Sequence, residues 1–412
     1  MAKVLLVTTN FWPEPTGISV YTSDLADALN ESGHSVSVLT SLPHYPWWKI
    51  PSEYAHLIEG VSEQKGLKII RATHLIPAKM NAAIRIRFES SLWWNLRKVS
   101  KEFKSRDFDL VISCIPTVAA GIIGKRIAKK FGLPFGLIVQ DLSGAGAKQS
   151  GLRGGAFISK LAHAVEGSAL KAAKGLVVVS PAMKDVVIGL GVDEARISQI
   201  LNYSARKIFS VNREQARSRF GWTADEFVVI HTGNIGAKQA LENVVDAALE
   251  LNGNSRIKIY LVGHGNQVSN LKAMCQGKKN ISVMAAVSDE DYSALLSAAD
   301  LLLVNERTTQ MEMSLPSKLT SYLYSEGPVL AAVPRGGATW KFLDGVAELV
   351  EAGDPRVLAS KIEELSTNNY RRDELARLGL EFAVENLDPA IGRAKYLEWV
   401  QELLEDAKEA QK

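Results

Sequence analysis

Residues Phe227-Val228-Val229-Ile230-His231-Thr232-Gly233-Asn234-Ile235-Gly236-Ala237-Lys238 read as an apolar strand that breaks into a glycine-bearing turn, with a helical pattern from about Ala240. A Val/Ile run without polar alternation is the pattern of a strand covered on both faces by crossover helices. The same unit recurs along the chain. Strands are expected at 3–9, 35–40, 67–72, 109–114, 135–139, 175–179 and 197–200, and again at 227–232, 258–262, 281–284, 301–304 and 329–332. Helical patterns lie between them, so parallel sheets and an α/β class follow. The polar stretch 202–212 separates two series, which places a first domain at 1–203 and a second at 204–388. The tail from Pro355 is helical, and the segment 389–412 is long enough to reach back onto the first domain.

Composition fits that plan. A chain of 412 residues with 46% hydrophobic and 23% charged residues buries the cores of two domains. A net charge of +3 excludes a surface devoted to nucleic acid. Cys114 and Cys275 have no ligand-like spacing, which argues against a disulfide framework and for a reducing, cytoplasmic setting. No apolar run reaches the length of a membrane span or a signal peptide.

Doubly wound domains hold ligands outside the carboxyl ends of their strands. The first strand leaves through Asn10 to Gly17, and Gly17 precedes a helix, either as a plain turn or where backbone N–H groups meet an anion. A Gly-x-Gly-x-x-Gly fingerprint is absent, against a dinucleotide cofactor. In the second domain Gly233, Gly236 and Lys238 suit a diphosphate, unless the glycines serve only close packing. His264 ends a neighbouring strand in Val262-Gly263-His264-Gly265. Pro316, Ser317 and Lys318 open another helix, where a hydroxyl and an amine face an anion or, for the lysine, solvent.

Taken in order, Gly33-His34-Ser35-Val36-Ser37-Val38-Leu39-Thr40, Thr232-Gly233-Asn234-Ile235-Gly236, Leu261-Val262-Gly263-His264-Gly265, Pro316-Ser317-Lys318-Leu319 with Gly327-Pro328-Val329, and Gly353-Asp354-Pro355 resemble glycosyltransferase family 4. The likeness is strongest to the branch of colanic-acid and O-antigen fucosamine-type transferases. It implies a GT-B fold, two Rossmann-like domains facing a cleft. It also implies a nucleotide-sugar donor on the second domain, an acceptor on the first, and retaining transfer with no cofactor and no essential metal.

The sequence departs from the family pattern at its acidic pair. Ser321 and Met313 stand at the two positions of the Glu-x7-Glu motif, and Glu312 lies one residue off. Asn234 and Gln239 replace the usual basic residues after the glycine turn, leaving Lys238 and Lys318 as the cations for the diphosphate. Asp141, after the strand at 135–139, stands where many members carry a histidine, and is the candidate for touching the sugar or the acceptor hydroxyl. The base is expected near Ala286 and Val287. Two other readings remain, a nucleotide-sugar 2-epimerase and a non-catalytic nucleotide-sugar-binding protein.

Two further features concern the acceptor. His44, Tyr45 and Trp47, in Pro43-His44-Tyr45-Pro46-Trp47-Trp48, leave the second strand toward the expected cleft with exposed-looking rings, suited to a sugar or lipid-bearing acceptor or to ordinary packing. Between Lys79 and Arg106 the chain carries eight Lys or Arg against Glu89 and Glu102, interleaved with Trp93, Trp94 and aliphatic residues. That pattern suits an anionic leaflet, or a core-facing helix with a solvated basic side. The protein is therefore expected at the inner face of the cell membrane, acting on a lipid-linked or polysaccharide acceptor. Asp107-Phe108-Asp109 and Asp289-Glu290-Asp291 read as a strand entry and a helix cap rather than metal ligands.

Overall fold

The computed structural model describes residues 1–15, 17–77, 82–142, 164, 166–203, 209, 211–309 and 315–409. Its contacts divide the chain into two units, Met1–Leu201 with Ala390–Lys412, and Asn202–Pro389.

Among the described residues the first unit holds eight strands: β1 (Lys3–Val7), β2 (Ser35–Ser41), β3 (Gly60–Gln64), β4 (Leu67–Ala72), β5 (Leu110–Ile115), β6 (Phe135–Val139), β7 (Gly175–Val178) and β8 (Ile197–Gln199). They lie in the order β3-β4-β2-β1-β5-β6-β7-β8. Every pair is parallel except β3 with β4, which corrects the expectation of a wholly parallel sheet. The sequence Gly60-Val61-Ser62-Glu63-Gln64 is largely exposed and lacks the apolar run of a buried strand. A two-residue turn, Lys65 and Gly66, joins it to β4 with positive φ at both, the geometry that matches strand twist.

Helices α1 (Ile18–Glu31), α2 (Ala82–Val99), α3 (Val118–Phe131) and α4 (Pro181–Gly189) belong to this unit. The second unit contributes α5 (Arg213–Phe220), α6 (Glu242–Glu250), α7 (Val268–Cys275), α8 (Asp289–Ala298), α9 (Lys318–Tyr324), α10 (Ala338–Leu343), α11 (Pro355–Thr367) and α12 (Asn369–Asn386). The last helix, α13 (Pro389–Glu409), returns to the first unit. Glycine makes its seat: a Cβ at Gly136 would stand 2.8 Å from both Trp399 and Leu403, and one at Gly175 would stand 2.9 Å from Trp399 Nε1. The Arg393 guanidinium fastens the start of α13 to Asp24, and to Glu31 at 3.1 Å.

The second unit's strands are β9 (Phe227–Asn234), β10 (Ile257–His264), β11 (Ile281–Met284), β12 (Leu301–Asn305), β13 (Val329–Val333) and β14 (Glu348–Glu351), all parallel, in the order β11-β10-β9-β12-β13-β14. This is the doubly wound order, and the direction of winding reverses between β9 and β12. Val229, Ile259, Leu261, Leu303 and Leu330 from these strands pack with Val244, Val245, Leu358 and Ile362 of the covering helices. Asp109 stands at the opening of β5, its carboxylate accepting from the Lys3 N–H at 2.7 Å, and Ser288 caps α8 by accepting from the Asp291 N–H at 3.1 Å. Both acidic clusters thus have structural duties.

Candidate active site

Beside the reversal point of the second sheet, β9 and β10 stay in register to their last residues, Gly233 opposite Gly263 and Asn234 opposite His264. A Cβ at Gly263 would stand 1.8 Å from the Gly233 carbonyl oxygen, and one at Gly265 would stand 2.2 Å from that of Ile235. Only glycine admits so close a crossing. The Ile235 N–H donates to the His264 carbonyl at 2.8 Å, and the Gly236 N–H donates to Gln239 Oε1 at 3.2 Å. Residues Ala237–Gln239 form one tight turn, Ala240 takes a positive φ, and α6 begins at Glu242, two residues after the expected start.

The exit of β12 secures this turn. Asn305, 1% exposed, donates its amide to the Gln239 and Ala240 carbonyls at 2.8 and 3.0 Å and accepts from Asn243 at 3.1 Å. The Arg307 backbone N–H and Nε donate to the Lys238 and Ala237 carbonyls at 3.0 and 2.9 Å. Sequence reasoning passed over both residues; the signal available was an Asn closing an otherwise apolar strand. A strapped loop keeps its backbone dipoles fixed, the state in which they act on charge most strongly.

Lys318 opens α9 and turns inward rather than to solvent. Its Nζ lies 2.8 Å from His231 Nε2, and a Cβ on Gly233 would meet its Cε at 3.6 Å. Burial lowers its pKa to about 7, with the Glu306 carboxylate acting the other way. Tyr322, four residues on, is fully buried and accepts from the Thr232 N–H at 2.8 Å, pinning the end of β9. Ser321 is buried on the same helix, Pro316 is half-buried, and Ser317 occupies the cap position without a side-chain cap bond. Lys238, Asn234 and His264 are exposed around the turn, and Val287 is half-buried beyond β11. Glu312 and Met313 lie outside the described residues, as does Lys79.

In the first unit, Gly17 holds the cap position of α1 with φ 71°, and the Tyr45 ring lies over it, 3.1 Å from where a Cβ would be. Asp141 is exposed just past β6 and accepts from the Leu142 N–H at 2.8 Å. Trp47 is half-buried with its ring 5.8 Å from Tyr54. His44 departs from the expectation of an exposed ring: it is 3% exposed, its Nδ1 on the Leu42 carbonyl at 3.1 Å, beside His74 and Phe88.

What fixes that loop is Glu14, a residue without a sequence motif. Its Oε1 accepts the backbone N–H groups of His44 and Tyr45, both at 2.8 Å, and its Oε2 accepts from Asn10 at 2.8 Å. Burial raises the carboxyl to about 7 against the lowering effect of these donors and of Arg71. Thr9 and Thr117 share a hydrogen bond of 2.8 Å between the ends of β1 and β5, the reversal point of this sheet. Among the described residues no group of three His, Cys, Asp or Glu is arranged to hold a metal ion, and no helix is long and apolar enough to cross a membrane.

Comparison with known proteins agrees with this architecture. Residues 16–202 match the glycosyl transferase 4-like domain and residues 212–380 match glycosyl transferases group 1. WcaI of Escherichia coli (strain K12), a glycosyl transferase assigned to colanic acid biosynthesis, is 27% identical over 378 residues, 88% of this chain and 91% of WcaI. Sucrose-phosphate synthase from Thermosynechococcus elongatus superposes with a TM-score of 0.77 at 15% identity, over 98% of this chain and 100% of that one. Anabaena HepE in complex with UDP superposes with a TM-score of 0.73 at 16% identity, over 97% and 100%. With both domain models matched in order and the fold of each unit in place, the chain belongs to the GT-B glycosyltransferases of family 4.

Proposed function

We propose that this glycosyltransferase moves a sugar, with retention at the anomeric carbon and without an essential metal, from a nucleotide-sugar donor to a lipid-linked or polysaccharide acceptor of cell-envelope glycan synthesis. The observation that carries the reading is the Lys318 amine held against Gly233, beside a strapped glycine turn at the reversal point of the second sheet. The UDP bound to Anabaena HepE and the colanic acid assignment of WcaI support the donor class and the kind of product.

In this mechanism the bond between the anomeric carbon and the diphosphate breaks while the acceptor oxygen joins the same face. The acceptor's proton passes to the departing phosphate oxygen. Negative charge growing on the diphosphate meets the backbone around Gly233 and Asn234 and the ammonium groups of Lys238 and Lys318. One such preorganised donor is worth about 3 kcal/mol of barrier. Gly236 contributes shape rather than a free donor, since Gln239 holds its N–H. His264, Pro316, Ser317 and Ser321 border the sugar and ribose, and Val287 the base. In the first unit Tyr45 and Trp47 receive the acceptor, the backbone at Gly17 faces the donor's anion, and Asp141 meets a hydroxyl of the sugar or acceptor. His44 acts behind Tyr45.

The basic, tryptophan-bearing face of α2 brings the enzyme to the inner face of the cell membrane. Trp94 and Ile86 are 62% and 45% exposed there, among Arg85, Arg87 and Lys98. The test of the donor site is thermal unfolding with UDP-, GDP-, dTDP- and ADP-sugars. A donor at 100 times its Kd adds about 2.7 kcal/mol. Lys318→Ala and Lys238→Ala are expected to shrink the shift; a full shift in both variants overturns the assignment.

A further inference from the structure

His231 sits in the middle of the second sheet with none of its surface exposed, after the apolar residues Phe227 to Ile230. An imidazole there is tolerated only when both nitrogens are bonded. Nδ1 lies 3.1 Å from the Leu303 carbonyl and Nε2 lies 2.8 Å from Lys318 Nζ. A carbonyl oxygen only accepts, so Nδ1 carries the proton and Nε2 presents a bare lone pair. The histidine is therefore a fixed acceptor in one tautomer, and the lysine donates to it.

The choice of partner has a consequence for charge. A buried lysine held only for stability is normally matched by a carboxylate. Here the tether is a neutral ring, and burial disfavours its protonation strongly. Among the described residues, the ionisable groups that act on the amine are His231 of β9 and Glu306 beyond β12. Glu306 is engaged by the Thr339 hydroxyl at 2.7 Å. The hydroxyls of Tyr322 on α9 and Tyr292 on α8 are turned to Thr232. The amine is thus aimed by a hydrogen bond to a neutral ring, and the side-chain freedom a lysine loses on binding an anion is already spent.

We infer that His231 is a positioning residue for sugar transfer, a neutral anchor that holds the Lys318 ammonium ready for the donor's diphosphate. The inference rests on the donor reading above and adds to it a residue that never touches substrate. Burial leaves part of the Lys318 population neutral near pH 7, and when the diphosphate arrives that part takes up a proton from solvent to complete the ion pair.

Calorimetric titration tests this with whichever of UDP, GDP, dTDP and ADP binds the wild-type enzyme most tightly. Measurement runs from pH 6 to pH 9 in buffers of different ionisation heat. The wild-type enzyme is expected to take up a fraction of a proton per nucleotide near neutrality. His231→Leu, which keeps volume and removes the acceptor, is expected to weaken binding about tenfold, the scale of one hydrogen bond to a charged group. His231→Gln, which keeps an acceptor, should stay within about threefold of wild type, and His231→Leu should add nothing to Lys318→Ala.

His231→Glu holds the amine but cancels its charge, and is expected to weaken binding at least as much as the leucine variant does. It decides the matter should His231→Leu fail to fold. Normal binding by both His231→Leu and His231→Glu, with Lys318→Ala impaired, overturns the inference and leaves the donor reading standing. Normal binding by Lys318→Ala, or no binding of any of the four nucleotides by wild type, removes the donor reading and this inference with it.

Discussion

The carbonyl oxygen of Gly233 occupies the space in which a side chain at Gly263 would begin, 1.8 Å from the position of its first carbon. Backbone cannot yield here as a flexible side chain can, because β9 and β10 remain paired through these residues. Gly263→Ala is therefore expected to destabilise the second unit by about 3 kcal/mol or more, the upper range for overpacking. That lowers its unfolding temperature by roughly 6–12 °C. Gly253→Ala is the control, since nothing stands within 4 Å of its Cβ position, and should move it by a degree or two. A Gly263→Ala protein that melts with wild type would show that the crossing opens freely.

Glu14 and His74 pull the acid stability of the first unit in opposite directions. Burial raises Glu14 from 4.5 to about 7, so between those values the folded chain keeps a proton that the unfolded chain has released. Stability then falls as pH rises through this window, by about 3 kcal/mol in total. Burial lowers His74 from 6.5 to about 3, so there the unfolded chain binds the extra proton and stability falls on acidification. The two slopes offset each other between pH 4.5 and 6.5. In urea titrations Glu14→Gln should steepen the acid loss and remove the decline toward pH 7. His74→Phe should do the reverse. Identical pH profiles for Glu14→Gln and wild type would contradict the buried, protonated carboxyl.

The seat of α13 predicts a coupling rather than a single loss. Trp399 is 3% exposed and covers Gly136 and Gly175. Trp399→Ala is expected to cost about 4 kcal/mol, as for other buried aromatics. Gly136→Ala alone should also destabilise, because its Cβ would stand 2.8 Å from the Trp399 ring. Combined, the pair should cost clearly less than the sum, since the alanine at 136 fills space that the tryptophan vacated. Strict additivity in chemical denaturation would mean that the helix end docks elsewhere.

Much of this architecture is legible from local pattern, and the exceptions share a cause. Strands buried on both faces announce themselves as Val/Ile/Leu runs, so β1, β2, β4 to β7 and β9 to β13 stand within two residues of their expected bounds. The exposed β3 and the short β14 carry no such run and are silent in sequence. Lys318 shows its spacing to a helix start but not its direction, because the partner that turns it inward lies 87 residues earlier. Glu14 in Trp12-Pro13-Glu14-Pro15 reads as an ordinary loop carboxylate. Its role appears only when β1 and β2 bring it to the amides of His44 and Tyr45, 30 and 31 residues away. His44 is misread for the same reason: the ring belongs to a cluster with His74 and Phe88 that distant segments assemble.

The surface of α2 makes the last prediction, and the structure decides which residues should test it. Phe88, Leu92 and Leu96 recur at four-residue steps and are buried, so the helix already spends one face on the core. Arg97 is a poor probe, because its guanidinium lies over the Trp93 ring at 5.1 Å and its loss would disturb packing. Arg87, Trp94 and Lys98 are exposed, and replacing them should leave unfolding within about 0.5 kcal/mol of wild type. Each cation near an anionic leaflet contributes about 1 kcal/mol. Arg87→Glu with Lys98→Glu should therefore cut flotation with anionic liposomes by more than tenfold. Trp94→Ser should weaken it further at high salt, where the ring's burial outlasts screened charge. Flotation that survives all three changes would place the membrane contact on another face.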